Sequence, residues 1–248
     1  MTMLERLAEL QRSGDRGVLF IVLEGQHAGR KLLAVEGGEV LGDGPAELVE
    51  RADEILRAGR NQLLDVDGAR VFAEWYGPPP RLFVYGAVDT AEALCASARL
   101  LGWHTIVGDA RGKFATLERI PSADELIVAW PEDALAQVGP DHQTAVVVLT
   151  HDDKFDEPTL IGALRTDAFY IGALGSRRNQ ERRRERLLDA GVTEEEIARI
   201  SGPCGLDIGA DSPEETALSI LAEILAVRAG RSGGQLRESP QRIHAEVD

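Results

Sequence analysis

The feature that most constrains the fold of this chain is an alternation of short apolar runs and helical segments that begins after residue 80. Helical periodicity separates five runs typical of buried strands, at 82–85, 105–107, 126–129, 145–149 and 169–171. Strands that are joined through helices run parallel, because the crossover returns the chain to the same end of the sheet. The alternation therefore predicts a doubly wound parallel α/β sheet with helices on both faces.

A run of three prolines marks the boundary of this α/β region. Residues 76–80 read YGPPP, and prolines without N–H donors are typical of a stiff linker. Residues 81–230 are therefore predicted to form one domain, and residues 231–248, rich in Gly, Ser, Arg and Pro, a mobile tail. Residues 1–77 predict a smaller α+β domain, with helices at 4–10 and 47–56 and strands at 18–23, 31–35 and 70–75.

Composition excludes several classes of function. The formal net charge of -15 disfavours nucleic acid and anionic lipid as partners. The longest apolar run, at 145–149, is far too short to cross a membrane. The sequence begins without the apolar segment of a signal peptide, so we expect a cytoplasmic protein. Two cysteines are too few for a disulfide framework or a zinc site.

The first predicted strand runs into an altered phosphate-binding turn. Residues 85–91 read YGAVDTA, at the place where a Rossmann domain carries G-x-G-x-x-G/A. Gly86 takes the place of the first glycine and Ala91 that of the third, but the middle glycine is replaced by Val88. The γ-methyl groups of valine would occupy the space in which the backbone approaches a pyrophosphate. The backbone of Gly86 and Ala87 remains a candidate ligand contact.

Two acidic residues at the same turn make ordinary NAD(P) binding less favourable. Asp89 is predicted to cap the next helix, with Glu92 reaching back in a capping box. Their negative charges would oppose a diphosphate at this helix N-terminus. Asp109, at the end of the second strand, occupies the usual position of a ribose ligand. A solvated loop aspartate is the alternative interpretation of Asp109.

The loop after the strand at 145–149 carries His151 and Asp152. Ligands of open parallel sheets bind at the carboxyl ends of the strands, so these side chains could orient a ligand or act as a general acid/base pair. In the alternative interpretation His151 is an ordinary loop residue and Asp156 is the N-cap of a helix that contains Pro158.

The loop after the strand at 169–171 predicts an anion site. Gly175 permits a close approach, Ser176 is a helix N-cap, and Arg177 and Arg178 stand in the first helical turn. Cations at a helix N-terminus oppose the helix dipole, and a bound anion would offset that cost. We therefore predict an anion site at Ser176, Arg177 and Arg178.

The remaining arginines of this helix have a simpler interpretation. With Glu181 and Glu185 interleaved at helical spacing, they predict an ordinary charged helix face, formed by Arg182, Arg183, Arg184 and Arg186. Docking of an acidic partner is the alternative.

The glycine-rich loop at 202–210 leads to the last predicted helix. Ser212 is its predicted N-cap, Glu215 completes a capping box, and Pro213 takes the first helical position. Cys204 in this loop is interpreted as a small apolar filler or, alternatively, as a reactive thiol.

Five motifs in this order resemble the XdhC/CoxI family over nearly all of residues 81–230. They occupy 84–91, 109–111, 150–152, 170–178 and 205–215. The resemblance implies a Rossmann-like C-terminal domain, a smaller N-terminal domain, and a maturation factor that is not itself an enzyme. It implies binding of the molybdenum cofactor (molybdopterin), support of its sulfuration, and delivery to a molybdenum hydroxylase of the xanthine or carbon monoxide dehydrogenase type.

Further expectations follow for partners and site residues. A cysteine desulfurase is expected as a second partner, and a homodimer as the assembly. An NAD(P)-dependent oxidoreductase, with Asp109 on the ribose and His151 transferring a proton, is the alternative function. The candidate cofactor-binding residues are Gly86, Ala87, Asp109, Arg111, His151, Asp152, Gly175, Ser176, Arg177 and Arg178.

The chain also departs from the family pattern. Where the family reads Gly-x-Gly-His, residues 86–89 read GAVD, and Asn179 follows the arginine pair where the family often has lysine. The N-terminal Pro-Arg and Gly-Gly-Gly-Cys segments of the family are absent from residues 1–77. These departures predict a divergent paralogue.

Overall fold

A computed structural model of the 248-residue chain describes residues 1–240. These residues divide into two compact units, Met1–Pro79 and Pro80–Ser239. Of the predicted tail, residues 241–248 lie outside the described part, and the preceding segment forms a single short 3-10 helix at Leu236–Glu238.

The first unit is a five-stranded antiparallel sheet with two helices. Its elements are α1 Met3–Ser13, β1 Gly17–Val22, β2 Lys31–Val35, β3 Val40–Gly42, α2 Glu47–Ala58, β4 Gln62–Val66 and β5 Ala69–Tyr76. The strand order is β3-β2-β1-β5-β4. Alternate residues of β1 enter two separate cores: Val18 and Phe20 pack with residues of α2, whereas Leu19 packs with Leu10 of α1.

The second unit is built on a six-stranded parallel sheet. Its elements are β6 Arg81–Tyr85, α3 Asp89–Leu100, β7 His104–Gly108, β8 Glu125–Ile127, α4 Pro131–Val138, β9 Thr144–Val148, α5 Asp153–Leu164, β10 Tyr170–Ala173, α6 Arg177–Asp189, α7 Glu194–Ile197, β11 Ile200–Ser201 and α8 Pro213–Ala229. Every pair of neighbouring strands is parallel.

The strand order is β11-β10-β9-β6-β7-β8. From β6 the chain adds strands toward one edge of the sheet, and from β9 it adds them toward the other, so the order reverses between β6 and β9. This is the Rossmann order, so the predicted doubly wound fold is confirmed. Helices cover both faces, because alternate residues of each central strand enter opposite cores. Val84 and Val147 pack with residues of α3 and α8, while Tyr85 and Val148 pack with residues of α4, α5 and α6.

The predicted start of α8 is confirmed. The Ser212 side chain accepts a hydrogen bond from the Glu215 N–H (3.1 Å), and the Glu215 carboxylate accepts one from the Ser212 N–H (3.2 Å). The preceding loop is pressed against this helix at Gly205, where a Cβ atom would lie 2.4 Å from the Ser219 hydroxyl oxygen. Glycine is required there by close packing between backbone and helix.

Candidate functional site

The carboxyl ends of five strands bring five loops to one edge of the second unit. We call the loops that follow β6, β7, β9, β10 and β11 the carboxyl edge; they lie at 86–88, 109–111, 149–152, 174–176 and 202–205. Backbone hydrogen bonds past the ends of the paired strands connect two of these loops to neighbouring strands. The Leu149 N–H donates to the Tyr85 carbonyl (2.9 Å), and the Cys204 N–H donates to the Ala173 carbonyl (3.1 Å).

Gly86 sits at the point where the strand order reverses. Its φ is 116°, in the region that favours glycine, and a Cβ atom on it would lie 2.8 Å from the Thr150 Cγ2 atom. The interpretation of Gly86 as the glycine of a tight turn is therefore confirmed. The side chain of Val88, two residues on, is partly buried and packs against the core shared by α3 and α8.

The predicted capping of α3 is wrong. Val88 is the N-cap and makes no side-chain hydrogen bond, while Asp89 is the first helical residue, 85% exposed and 3.6 Å from Arg119. The Glu92 carboxylate accepts hydrogen bonds from the N–H (3.0 Å) and hydroxyl (2.6 Å) of Ser122, thirty residues away, and is not available as a cap. Within residues 1–240, the N–H groups of Asp89 and Thr90 therefore have no acceptor.

Asp109 is a buried clamp between the turn and the next loop. Its side chain is 1% exposed and accepts hydrogen bonds from the Ala87 N–H (3.0 Å), the Arg111 N–H (2.9 Å) and two nitrogens of the Arg111 guanidinium (both 2.9 Å). Burial alone would raise the pKa of Asp109, but these hydrogen bonds outweigh it and hold the pKa below its ordinary value. The interpretation as a solvated loop aspartate is wrong, and both carboxylate oxygens are already occupied.

Arg111 is held by Asp109 and by two aromatic rings. The hydrogen bond to Asp109 is the main reason that the pKa of Arg111 is raised, and the charge of Asp152 adds to it. The guanidinium carbon lies 4.5 Å from the ring centre of Phe114 and 5.5 Å from that of Phe155. With 36% of its side chain exposed, Arg111 presents a fixed positive charge at the carboxyl edge.

Asp152 begins α5 as its N-cap, and the alternative that gave this role to Asp156 is wrong. The Asp152 carboxylate accepts from the Lys154 N–H (3.3 Å) and lies 3.0 Å from the Lys154 ammonium. The hydrogen bond with Lys154 is the main reason that the pKa of Asp152 is lowered. His151 beside it is exposed to solvent. Asp156 lies inside the helix because α5 tolerates Pro158 and starts at Asp153.

A buried network under the edge joins two of its loops to α5 and α6 and was not predicted. Arg183, 4% exposed, donates to the carboxylate of Asp156 (2.8 Å), the carbonyl of Leu174 (3.0 Å) and the side-chain oxygen of Gln180 (2.6 Å). The hydroxyl of Thr150 donates to the second carboxylate oxygen of Asp156. Burial raises the pKa of Asp156, although both partners oppose the rise.

The helix face that contains Arg183 therefore differs from the ordinary charged face that the sequence indicated. Gln180, Arg183 and Leu187 lie on one face of α6 by their helical spacing, and Leu187 is buried. The position of Leu187 was the sequence signal that could have predicted a buried Arg183. Two other arginines of this face form ion pairs with neighbouring helices. Arg184 pairs with Glu194 of α7, and Arg186 pairs with residues of α5.

The start of α6 leaves positive groups free. Ser176 is the N-cap, as predicted, and its hydroxyl oxygen accepts a hydrogen bond from the Asn179 N–H (3.3 Å). Arg177 and Arg178 are exposed, no acidic residue stands in this first turn, and neither guanidinium has an ion-pair partner among residues 1–240. In the same range their backbone N–H groups also lack an acceptor.

The predicted site residues thus fall into two groups. Ala87, Asp109 and Arg111 form one internally hydrogen-bonded cluster, with Asp152 close enough to act on the charge of Arg111. The second group, at 175–178, lies beyond β9 and has free donors. Cys204 is not a reactive thiol, since burial raises its pKa to about 12 and keeps it protonated at neutral pH.

The XdhC Rossmann domain family matches residues 82–224, which include every loop of the carboxyl edge. The chain belongs to the XdhC family. Its resemblance to that family, read from five motifs, is therefore confirmed.

Three relatives are similar to this XdhC-family chain. A probable xanthine dehydrogenase subunit from Bacillus subtilis is 30% identical over 226 residues, which are 90% of this chain and 64% of that protein. The molybdenum cofactor insertion chaperone PaoD of Escherichia coli is 32% identical over 157 residues, covering 63% and 43%. The uncharacterized protein YqeB of Escherichia coli is 34% identical over 174 residues, covering 68% and 31%.

A solved structure agrees with the family assignment. The crystal structure of a xanthine dehydrogenase from Bacillus halodurans matches with a TM-score of 0.68 and 26% identity, over 92% of this chain and 66% of that one. This chain spans between 31% and 64% of the lengths of the three relatives. Within residues 1–240, no helix has the length and apolar character to cross a membrane.

Proposed function

We propose that this protein is an accessory factor that binds the molybdenum cofactor at its carboxyl edge and delivers it to a molybdenum hydroxylase of the xanthine dehydrogenase type. Two relatives support this proposal by name: one is a molybdenum cofactor insertion chaperone, and the other is named as part of a probable xanthine dehydrogenase. The family match lies within the Rossmann unit, and the identity of the client enzyme is inferred from the names of these relatives.

The observation that carries the proposal is the set of free cationic donors at the start of α6. The whole chain has a formal net charge of -15, yet Arg177 and Arg178 stand here without an acidic partner in the described chain. Two exposed arginines and two free N–H groups match the oxygens of a phosphate. A phosphate also offsets the unfavourable interaction between these arginines and the helix dipole.

The residues present fit the phosphate-bearing end of the molybdenum cofactor. Ser176, Arg177 and Arg178 would hold its phosphate, while Arg111, fixed by Asp109, would contribute a second positive charge to the edge. The cofactor, when bound, supplies the metal centre that the client enzyme requires. This chain's residues bind and orient it.

Sulfuration is proposed to need a second protein. The two cysteines are buried, and burial raises the pKa of both Cys95 and Cys204 to about 12. Neither thiol is available as a nucleophile at neutral pH, because the thiolate is the reactive form. The role proposed for this chain is to hold the cofactor while a cysteine desulfurase supplies the sulfur.

The test is a double substitution, R177A/R178A, with R182A as the matched control. Arg182 is exposed on the same helix and has no partner within residues 1–240, but it lies beyond the first turn. Loss of charge-assisted contacts worth about 1.5–3 kcal/mol each should weaken cofactor binding at least tenfold in the double variant. Binding is measured from the fluorescence of the oxidised pterin that the protein retains. Equal retention by the double variant and R182A would contradict the phosphate site.

An NAD(P)-dependent oxidoreductase is the second candidate, and the two free N–H groups at Asp89 and Thr90 are the observation in its favour. Against it, Asp109 cannot bind a ribose without releasing Arg111 or the Ala87 N–H. Calorimetric titration with NADH and NADPH decides between the two. We expect no heat of binding at millimolar nucleotide, whereas micromolar binding would favour the oxidoreductase.

A further inference from the structure

A shallow depression lies where the chain leaves β8 and enters α4; none of the residues proposed above to bind the molybdenum cofactor lines it, although Arg111 contributes charge near both. Its volume is about 610 Å³, and it is lined by Val128, Ala129, Trp130, Asp133, Ala136 and Gln137. Small-molecule sites commonly have volumes of roughly 300–1,000 Å³. It follows β8 in the chain, and β8 pairs with β7, whose loop carries Arg111.

Trp130 offers a fixed aromatic face to this depression. The side chain is 54% exposed, although tryptophan is highly buried on average. Its position is held from below, because the indole packs on Phe155 with ring centres 5.3 Å apart and the next residue, Pro131, is buried in the first turn of α4. A large ring that is both exposed and fixed is suited to stack on a planar ligand at low entropic cost.

Asp133 and Gln137 supply hydrogen-bonding groups on the same side of α4. They follow Trp130 by three and seven residues, which is the spacing of one helix face. Both are exposed, and neither side chain forms a hydrogen bond or an ion pair within residues 1–240. A carboxylate accepts two parallel bonds from two adjacent donors. Among the nucleobases, only guanine presents two such donors side by side, at N1 and at the exocyclic N2.

Two cations lie next to the stacking face, each paired with a carboxylate: Arg111 with Asp109 and Lys154 with Asp152. Phe155, on which Trp130 packs, also has the Lys154 ammonium 4.7 Å and the Arg111 guanidinium carbon 5.5 Å from its ring centre. An anionic substituent on a ring stacked on Trp130 would therefore lie near two cations.

We propose that this depression is a binding site for a guanine nucleotide. The base stacks on Trp130, its N1–H and N2–H groups donate to Asp133, and its phosphate is attracted by Arg111 and Lys154. The groups proposed to hold the base lie on and just before α4, and none of residues 174–178 lines the depression. This site therefore goes beyond the proposed function and takes a separate ligand.

The experiment is a titration of the full chain with GMP, guanosine and AMP, followed by calorimetry and by tryptophan fluorescence. We expect quenching with GMP that disappears in W130F, since the indoles of Trp75 and Trp103 lie elsewhere. We expect GMP to bind at least tenfold more tightly than AMP, and more tightly than guanosine at low salt. The calorimetric affinity for GMP should fall at least tenfold in W130A.

D133N tests the base specificity with little change in shape. Asparagine replaces one acceptor with a donor, so the preference for GMP over AMP should be lost while the melting temperature is retained. R177A/R178A should bind GMP as the wild type does, which separates this proposal from the phosphate site at Ser176. Equal affinity for GMP and AMP in the wild type, unchanged affinity in W130A, or the absence of any binding at millimolar GMP would overturn the proposal.

Discussion

Asp109 shows how a single buried carboxylate organises the carboxyl edge. Through the Ala87 N–H it fixes the turn after β6, and through Arg111 it fixes the loop after β7. A residue in the position of a ribose ligand here serves as a structural clamp. Its contribution to folding can be separated from that of other carboxylates by its dependence on pH.

Asp109→Asn should destabilise the protein at pH 7 by about 1–3 kcal/mol, because the charge-assisted bonds to Arg111 are lost. The folded-state pKa of Asp109 lies below its ordinary value of 3.8, so the wild-type advantage is present above that value and is lost as the pH falls through the folded pKa. Urea unfolding at pH 7 and pH 3 measures the difference.

We therefore expect the gap between wild type and D109N to narrow at pH 3. D167N removes one exposed aspartate and is the control, with no measurable gap at either pH. A gap for D109N that is equally large at both pH values would contradict the clamp.

The second prediction for individual residues concerns the stability contributed by the buried ion pair of Arg183 and Asp156. Arg183→Met leaves the Asp156 carboxylate buried without its cation, and breaking a buried pair in this way costs about 3–5 kcal/mol. R182M, at an exposed position on the same helix, should change stability by less than about 0.5 kcal/mol. The free energy of unfolding in urea compares the two variants.

The double variant D156N/R183M checks the reason for this loss. It removes both charges, so it should be more stable than R183M alone. If R183M unfolds at the same urea concentration as R182M, the buried pair does not stabilise the fold.

Several individual residues could be assigned from local sequence alone. The role of Gly86 depends on its own φ angle. The helix caps at Ser176 and Ser212 depend on residues within four positions of each serine. Glu92 and Arg183 could not be assigned in this way. Their partners, Ser122 and Asp156, lie 30 and 27 residues away, and only the folded sheet brings them together.

At the scale of elements, helix capping determines where the covering helices begin. Ser212→Ala should destabilise the fold by about 1 kcal/mol, because the N–H of Glu215 loses its acceptor at the start of α8. Glu214→Gln, in the same first turn, is the control and should cost only a few tenths of a kcal/mol. Thermal unfolding measures both, and equal effects would indicate that the cap contributes little.

The central strands and long helices were predictable because their apolar periodicity is strong. Three strands were missed: β3, β4 and β11. β3 is three residues long and mostly exposed, and β11 has only two residues, so neither carries a periodic apolar signal. The start of α5 stayed open because Pro158 allowed an alternative with a later helix start, whereas the structure places Pro158 as the sixth residue of the helix.

At the scale of the whole molecule, each unit has its own apolar cores. The cores of the first unit contain only residues before 80, and those of the second only residues after it. We propose that the boundary lies at the prolines and that residues 80–240 fold alone. A fragment of these residues should unfold cooperatively in urea. A gradual, non-cooperative transition would contradict this.

The strand reversal, the loops and the charges support the proposal that the Rossmann unit of this XdhC-family chain holds an anionic cofactor for a client enzyme. Fold and family could be inferred from the sequence, as could the location of free cations at Arg177 and Arg178. The internal use of Asp109 could not, since it depends on a hydrogen bond to the Ala87 backbone.

The most direct measurement is activation of a cofactor-free xanthine dehydrogenase by this protein loaded with molybdenum cofactor. We predict that the loaded wild type restores activity, that R182A does so equally, and that R177A/R178A restores at least tenfold less at the same protein concentration. Activation that is the same with R177A/R178A, or the same with free cofactor alone, would contradict it.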